Sequence, residues 1–212
     1  ELKPDSGYRS RIDKKTEEAP IGYYKVELSD YDIQAELTAT TRSGLMRFTY
    51  PEERDSARVL IDFHIPAEYD YVLKEVNVKK VSDYRLEGYS DQFSDRVWSS
   101  DASQDYTVHF VVEFDQPILS MGGWIEDDVF EGDQLTAKDI TDAGLFVYFN
   151  HKEDPVVQVR TGISLVSIEN ASQNLETELS KPFGWDFDAV REHQVDTWNE
   201  LMGRVLISTN NR

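Results

Sequence analysis

The chain has 212 residues, with 22 Lys and Arg against 41 Asp and Glu, a net charge of −19. Ten Phe, eleven Tyr and four Trp exclude a disordered acidic tail, which is poor in aromatics. An acidity of this size excludes a phosphate-binding surface for nucleic acid, which needs clustered Lys and Arg, and docking on anionic lipid.

Cysteine is absent from the sequence, which removes disulfides, thiolate nucleophiles and Cys-based metal sites together. No stretch approaches 18 apolar residues, so no membrane span is expected. The first residues carry neither a basic region nor an apolar run of the signal-peptide kind. Residues 1–18 are polar and aperiodic and read as a loop or a truncated start.

From Tyr23 to Ile168 the dominant pattern has period two. Tyr24, Val26 and Leu28 alternate with polar residues, as do Ile33, Ala35, Leu37 and Ala39. Met46, Phe48 and Tyr50 follow, then Val59, Ile61, Phe63 and Ile65, and then Val108, Phe110, Val112 and Phe114. Strict alternation is what a strand with one buried face requires. Weaker strands are expected at 75–81, 84–89, 145–149, 156–160 and 163–168. Turns are expected at Ser43-Gly44, Tyr50-Pro51, Gly122-Gly123, Glu131-Gly132-Asp133 and Asp154-Pro155. The fold class is therefore mainly β, an antiparallel β-sandwich over about residues 19–168. Val59, Ile61, Phe63, Val108, Phe110 and Val112 are expected to face its interior.

The period changes after Ile168. Ile168, Ala171, Leu175 and Leu179 lie on one helical face, with Ser167 as N-cap, and Lys181-Pro182-Phe183-Gly184 breaks the helix. A second helix starts near Asp186 and carries a stripe of Phe187, Val190, Trp198, Leu201 and Val205. Residues 169–212 thus read as a helical linker whose stripe needs a partner. The sandwich itself, a second copy of the chain, or a further domain could supply it.

The four histidines, His64, His109, His151 and His193, show no zinc spacing, and His64 and His109 fall on the polar phase of their strands. There is no Gly-x-Ser-x-Gly elbow and no glycine-rich phosphate loop. Glycoside hydrolysis needs two placed carboxylates, but among 41 acidic residues abundance identifies none. Asp127-Asp128 beside Trp124 reads either as a polar loop that meets a sugar or as a solvated hairpin tip. Trp98, among polar residues, reads either as an exposed, sugar-stacking aromatic or equally as a core Trp. No catalytic residue and no metal ligand is assigned.

Several segments resemble, in order and spacing, the N-terminal domain of glycoside hydrolase family 92, the calcium-dependent exo-α-mannosidases. They include Glu18-Ala19-Pro20-Ile21-Gly22-Tyr23-Tyr24, Ile33–Arg42 running into Met46–Pro51, Leu86-Glu87-Gly88-Tyr89-Ser90 and Val108–Pro117. The likeness continues through Gly162–Ala171, Trp185-Asp186-Phe187-Asp188 and Trp198-Asn199, so it covers about 17–207. The resemblance implies a supersandwich domain leading through helices into an (α/α) barrel that carries the catalytic carboxylates and most calcium ligands. It also implies an internal piece of a longer, exported mannosidase (bacterial periplasm or cell surface) acting on mannose-terminated glycans. The chain alone is then expected to be inactive and to bind no calcium. The alternatives are a stand-alone carbohydrate-binding sandwich and a structural interaction domain that uses the Trp198 helix, for instance to form a homo-oligomer.

Overall fold

A computed structural model describes residues 9–53, 57–63, 71–95, 102–150, 152 and 154–208. The strands are β1 (Ile12–Glu18), β2 (Tyr24–Leu28), β3 (Ile33–Ala39), β4 (Ser43–Thr49), β5 (Ala57–Asp62), β6 (Val72–Ser82) and β7 (Arg85–Ser94). They continue as β8 (Gln104–Phe114), β9 (Ser120–Ile125), β10 (Asp128–Glu131), β11 (Gln134–Ile140), β12 (Ala143–Phe149) and β13 (Val156–Ser164). The helical segment follows as α1 (Ile168–Leu175), a π turn (Glu176–Ser180), α2 (Lys181–Phe183) and α3 (Phe187–Met202).

The strands form a nine-stranded sheet, in the order β1-β2-β3-β4-β13-β8-β7-β6-β11, and a four-stranded sheet, β10-β9-β12-β5. Their neighbours pair antiparallel. The two sheets enclose the main core, which includes Leu73, Val76, Leu86, Phe114, Leu145 and Phe149. The antiparallel sandwich expected from the period-two pattern is therefore the fold. Val59, Phe63, Phe110 and Val112 are buried in its core and Ile61 packs against it, whereas Val108 is half-buried.

A second cluster lies on the opposite face of the large sheet, where Tyr23, Leu45 and Val111 meet Ala171, Leu175, Leu179, Phe187 and Val190. β8 is thus buried on both faces. Phe110, Val112 and Phe114 face the small sheet and Val111 faces the helices, which is why Val111 interrupts the alternation.

Four expectations need correction. Residues 12–18, expected to be loop, form the edge strand β1. It has almost no apolar content and is held by pairing with β2 through a bulge, by Arg11 donating to Asp30 and by Glu27 N donating to Thr16 Oγ1. Charged residues such as Lys14, Lys15, Glu17 and Glu18 are characteristic of an edge kept from pairing further. Gly122 and Gly123, expected as a turn, sit inside β9. A Cβ on Gly122 would stand 2.4 Å from the Phe146 ring, and one on Gly123 2.9 Å from that of Phe130, so these glycines make room for aromatics on neighbouring strands; Ser43 and Gly44, also expected as a turn, are likewise paired within the sheet at the start of β4.

The third correction joins 156–160 and 163–168 into the single strand β13, ending at Ser164. At Gly162 helix α1 lies directly on the strand, since a Cβ there would be 2.4 Å from Ala171 O. The fourth moves the helix break. The Ser167 hydroxyl caps α1 by accepting from Asn170 N at 3.1 Å. The chain stays helical through Pro182 and stops at Gly184, whose φ of 61° suits glycine.

Candidate functional site

Helix α3 begins at Asp186, whose carboxylate accepts from Ala189 N at 3.0 Å. Its first half is docked: Phe187 and Val190 are buried, and Gln194 packs where Gly22 leaves no room for a Cβ. The stripe then runs off the sheet, with Trp198 45% and Leu201 43% exposed, and Val205, expected on the same helix, lies past its end at Met202.

Three carboxylates fasten the helical segment to the sheet. Glu36 of β3 accepts from Arg47 Nε and Nη2 at 2.7 and 2.9 Å and from the Tyr23 hydroxyl at 2.7 Å. Arg47 also stacks on the Phe187 ring, 4.4 Å from its centroid. Burial opposes ionisation of Glu36, but the Arg47 and Tyr23 hydrogen bonds outweigh it and hold the carboxyl below its ordinary range. Glu113 of β8 receives Arg85 and Arg160 at 2.7 and 2.8 Å. Arg160 in turn donates to Gly184 O and lies 4.1 Å from the Trp185 centroid.

Glu178, on the π turn, accepts from Thr40 Oγ1 at 2.6 Å and from the backbone N–H and Nε of Arg42 at 2.9 and 2.7 Å. Burial works against its charge here too, and these donors prevail, so its carboxyl is lowered. Carboxylates held ionised by guanidinium groups are poor proton donors, so neither Glu36 nor Glu178 suits general acid catalysis.

The opposite pattern occurs at Asp115, just after β8. Burial pushes its carboxyl up, and the N–H of Gln158, donated at 2.8 Å, offsets this in part. Asp115 borders a small cleft of about 330 Å³ with Asn150, Asp154 and Leu119. Sequence reasoning missed it, because nothing in Phe114-Asp115-Gln116 distinguishes a half-buried carboxyl from a turn residue.

Trp124 lies on β9, opposite Gly144 of β12. Its indole N–H donates to Asp142 Oδ1 at 2.9 Å, and its ring fills the space that a Cβ on Gly144 would need. One face is thus used in packing. Asp127 stands at the exposed turn joining β9 to β10 and Asp128 at the start of β10. Trp98, His64 and His151 lie outside the described residues. His109 is half-buried beside Tyr89 and His193 lies against Phe183 on α3. Among the described residues no three His, Cys, Asp or Glu side chains come together as a metal-ligating group, and no helix is long and apolar enough to cross a membrane.

Two grooves flank the Thr40–Arg42 turn that Glu178 holds. One, of about 700 Å³, lies between Ile163–Val166 and the amide side chains of Asn170, Gln173 and Asn174. The other, of about 770 Å³, lies between the overhanging half of α3 and Leu37, Ala39 and Met46. The sequence carried a signal for the first in the apolar pair Leu165-Val166, placed directly before an N-cap.

No individually curated protein is significantly similar to the chain in sequence. Among solved structures, a family GH92 α-mannosidase from Bacteroides thetaiotaomicron superposes on 98% of this chain with a TM-score of 0.79 and 26% identity. It has also been solved in complex with mannoimidazole. A GH92 glycosyl hydrolase (TM-score 0.76, 22% identity, 95% of this chain) shares the fold. So does an inverting GH92 mannosidase of B. thetaiotaomicron (TM-score 0.75, 18% identity, 95% of this chain). This chain spans 27%, 26% and 25% of those three chains respectively, about a quarter of each. The family model of the glycosyl hydrolase family 92 N-terminal domain matches residues 1–164, the sandwich up to the end of β13, and by that match the chain belongs to glycoside hydrolase family 92.

Proposed function

We propose that the chain is the non-catalytic N-terminal domain of an inverting, calcium-dependent exo-α-mannosidase acting on mannose-terminated glycans. The observation that carries this reading is the superposition of nearly the whole chain, helices included, on part of a much longer α-mannosidase. In an inverting glycosidase one carboxylic acid protonates the leaving oxygen, while a carboxylate on the other face of the sugar activates water. The described carboxylates of the helix–sheet junction are engaged by arginine. By the resemblance to family 92, the acid–base pair is assigned to the rest of the enzyme, and the sandwich to covering one side of the pocket.

Calcium would help to hold the sugar hydroxyls. By the same resemblance its ligands are assigned mainly outside this chain, and no step is routed through it here. The same reading makes the enzyme an exported one, of the periplasm or cell surface.

Hydrolysis of an aryl α-mannoside tests the proposal. The longer polypeptide should release mannose, lose activity with a calcium chelator, and give β-mannose as the first-formed anomer by NMR. The 212-residue chain should release none in either condition. Release by this chain above a buffer blank would overturn its non-catalytic assignment, and α-mannose as first product would overturn inversion.

A further inference from the structure

The two grooves beside the Thr40–Arg42 turn lie at one end of the large sheet, where β3 passes into β4 and β13 leads to α1. Their composition departs from that of the chain. Among the described residues lining the α3 groove none is charged, and among those lining the other Arg42 alone is, although 30% of all residues are charged. Arg42 is itself paired with Glu178. Depletion of charge around apolar and aromatic side chains distinguishes the core of a protein–protein interface from ordinary surface.

The same end collects exposed apolar residues. Leu165 and Val166 are 71% and 72% exposed, and Trp198, Leu201 and Met202 stand over the second groove or just beyond it. Exposed apolar side chains gathered at one end of a sheet are what an interaction site presents. The chain also leaves from here: α3 runs past the sheet, and Leu206 and Ile207 follow it fully into solvent.

We infer that this end of the sandwich is the surface on which the rest of the same polypeptide packs, entering from α3 and covering both grooves. The inference rests on the proposed function, since it takes the longer enzyme as given. Three observations select this occupant. The grooves adjoin the strand-to-helix and helix-exit segments. The solved relatives are much longer than the part matched, this chain spanning 27% of the first. And an uncharged lining suits permanent burial better than intermittent contact by a separate, charged partner. The Thr40–Arg42 turn, held by Glu178, is then a ridge fixed between two halves of one interface.

Hydroxyl-radical footprinting of the longer polypeptide tests this, with Leu165, Trp198 and Met202 as reporters. Tyr84 and Leu119, exposed at the opposite end of the large sheet, serve as internal references. In the longer polypeptide the reporters should be labelled about tenfold less than in the 212-residue chain, as desolvated interface-core positions are, with the references unchanged. Equal labelling in the two proteins would overturn the inference. So would protection that appears in the 212-residue chain itself as it dimerises in sedimentation, which would assign the face to a second copy. Assay of the same preparation on an aryl α-mannoside separates the two claims. Hydrolysis with unprotected reporters overturns the docking surface alone. Protection without hydrolysis keeps the docking surface and overturns the proposed function.

Discussion

The two faces of the nine-stranded sheet are built on different principles. The inner face meets the small sheet mainly through apolar side chains, with Leu73, Phe114, Leu145 and Phe149 fully buried, and its buried polar pair on β7, Ser90 and Gln92, is uncharged and bonded within itself. The outer face meets the helices through a smaller apolar cluster, and carboxylate–arginine pairs at Glu36, Glu113 and Glu178 surround it. Burial without direction suffices between two sheets whose register is set by backbone pairing. A helix laid on a sheet has no such ladder, and oriented ion pairs and arginine–aromatic stacks fix where it lies. The inner face should therefore set global stability, and the outer face should respond to pH and to single polar substitutions.

The largest effect is expected from the inner face. Phe149 is fully buried, with its ring 5.0 Å from that of Phe114. Phe149→Ala should cost about 3–5 kcal/mol in urea unfolding through lost transfer energy and the cavity left behind. A loss below about 1 kcal/mol would mean that the two-sheet core repacks freely and that the contrast between the faces is wrong.

Glu36→Ala should come next. It strands the Arg47 guanidinium and the Tyr23 hydroxyl, and removal of one partner from a fully buried pair costs about 3–5 kcal/mol. Arg47 keeps some solvent and Asp188, so about 2 kcal/mol is expected. Its signature should be local, with amide exchange quickening in α3 and not in β12. Acid should act in the same way. The folded-state carboxyls of Glu36 and Glu178 lie below their unfolded values. Their contribution is complete above the unfolded pKa, about 4.3, and is lost as pH falls through the folded values. Asp115 is raised and has the opposite sign: what it contributes is present below its unfolded pKa and lost as pH rises through its folded value. Between about pH 5 and 3 the helices should loosen before the end of the sheet near Asp115 does. Exchange that quickens equally in both places would refute this ordering.

Gly162→Ala should follow. The added Cβ would meet Ala171 O at 2.4 Å and Leu175 Cβ at 2.7 Å, so α1 must lift from β13, at about 1–3 kcal/mol for overpacking. Unchanged thermal stability, with unchanged exchange in α1, would show that the helix is not held against the strand.

What the sequence made legible follows from the same contrast. Strands with one face in the inner core, such as β3 and β5, announce themselves by alternation, and both helices by their stripes and by the caps Ser167 and Asp186. β1 was hidden because an edge strand rich in Lys and Glu has no buried face to pattern. β9 was hidden because Gly122 and Gly123 look like a turn until the rings of Phe146 and Phe130 are seen to need their space. The partners of Glu36 and Glu178 lie 11 and 136 to 138 residues away. No local signal reports the second case. Trp124 could be singled out as an aromatic beside acidic residues, but its bond to Asp142 across the sheet could not.

The smallest effect is expected at Trp198, and it separates the two halves of α3. The helix carries one continuous stripe in sequence, which predicts one continuous docked face, yet burial ends near Gln194. Val190→Ala should then loosen the helix by about 1–2 kcal/mol, from the methyl groups removed and the cavity left. Trp198→Ala, at a side chain already 45% exposed, should change the unfolding free energy of the 212-residue chain by no more than a surface substitution does, about 0.5 kcal/mol. Glu36→Ala, which acts on the docked half, gives the scale against which to read it. A cost at Trp198 comparable to that at Val190 would mean that the overhanging half folds back onto the sheet in solution. In that case the groove beneath it is closed within the domain, and its uncharged lining reflects internal packing alone.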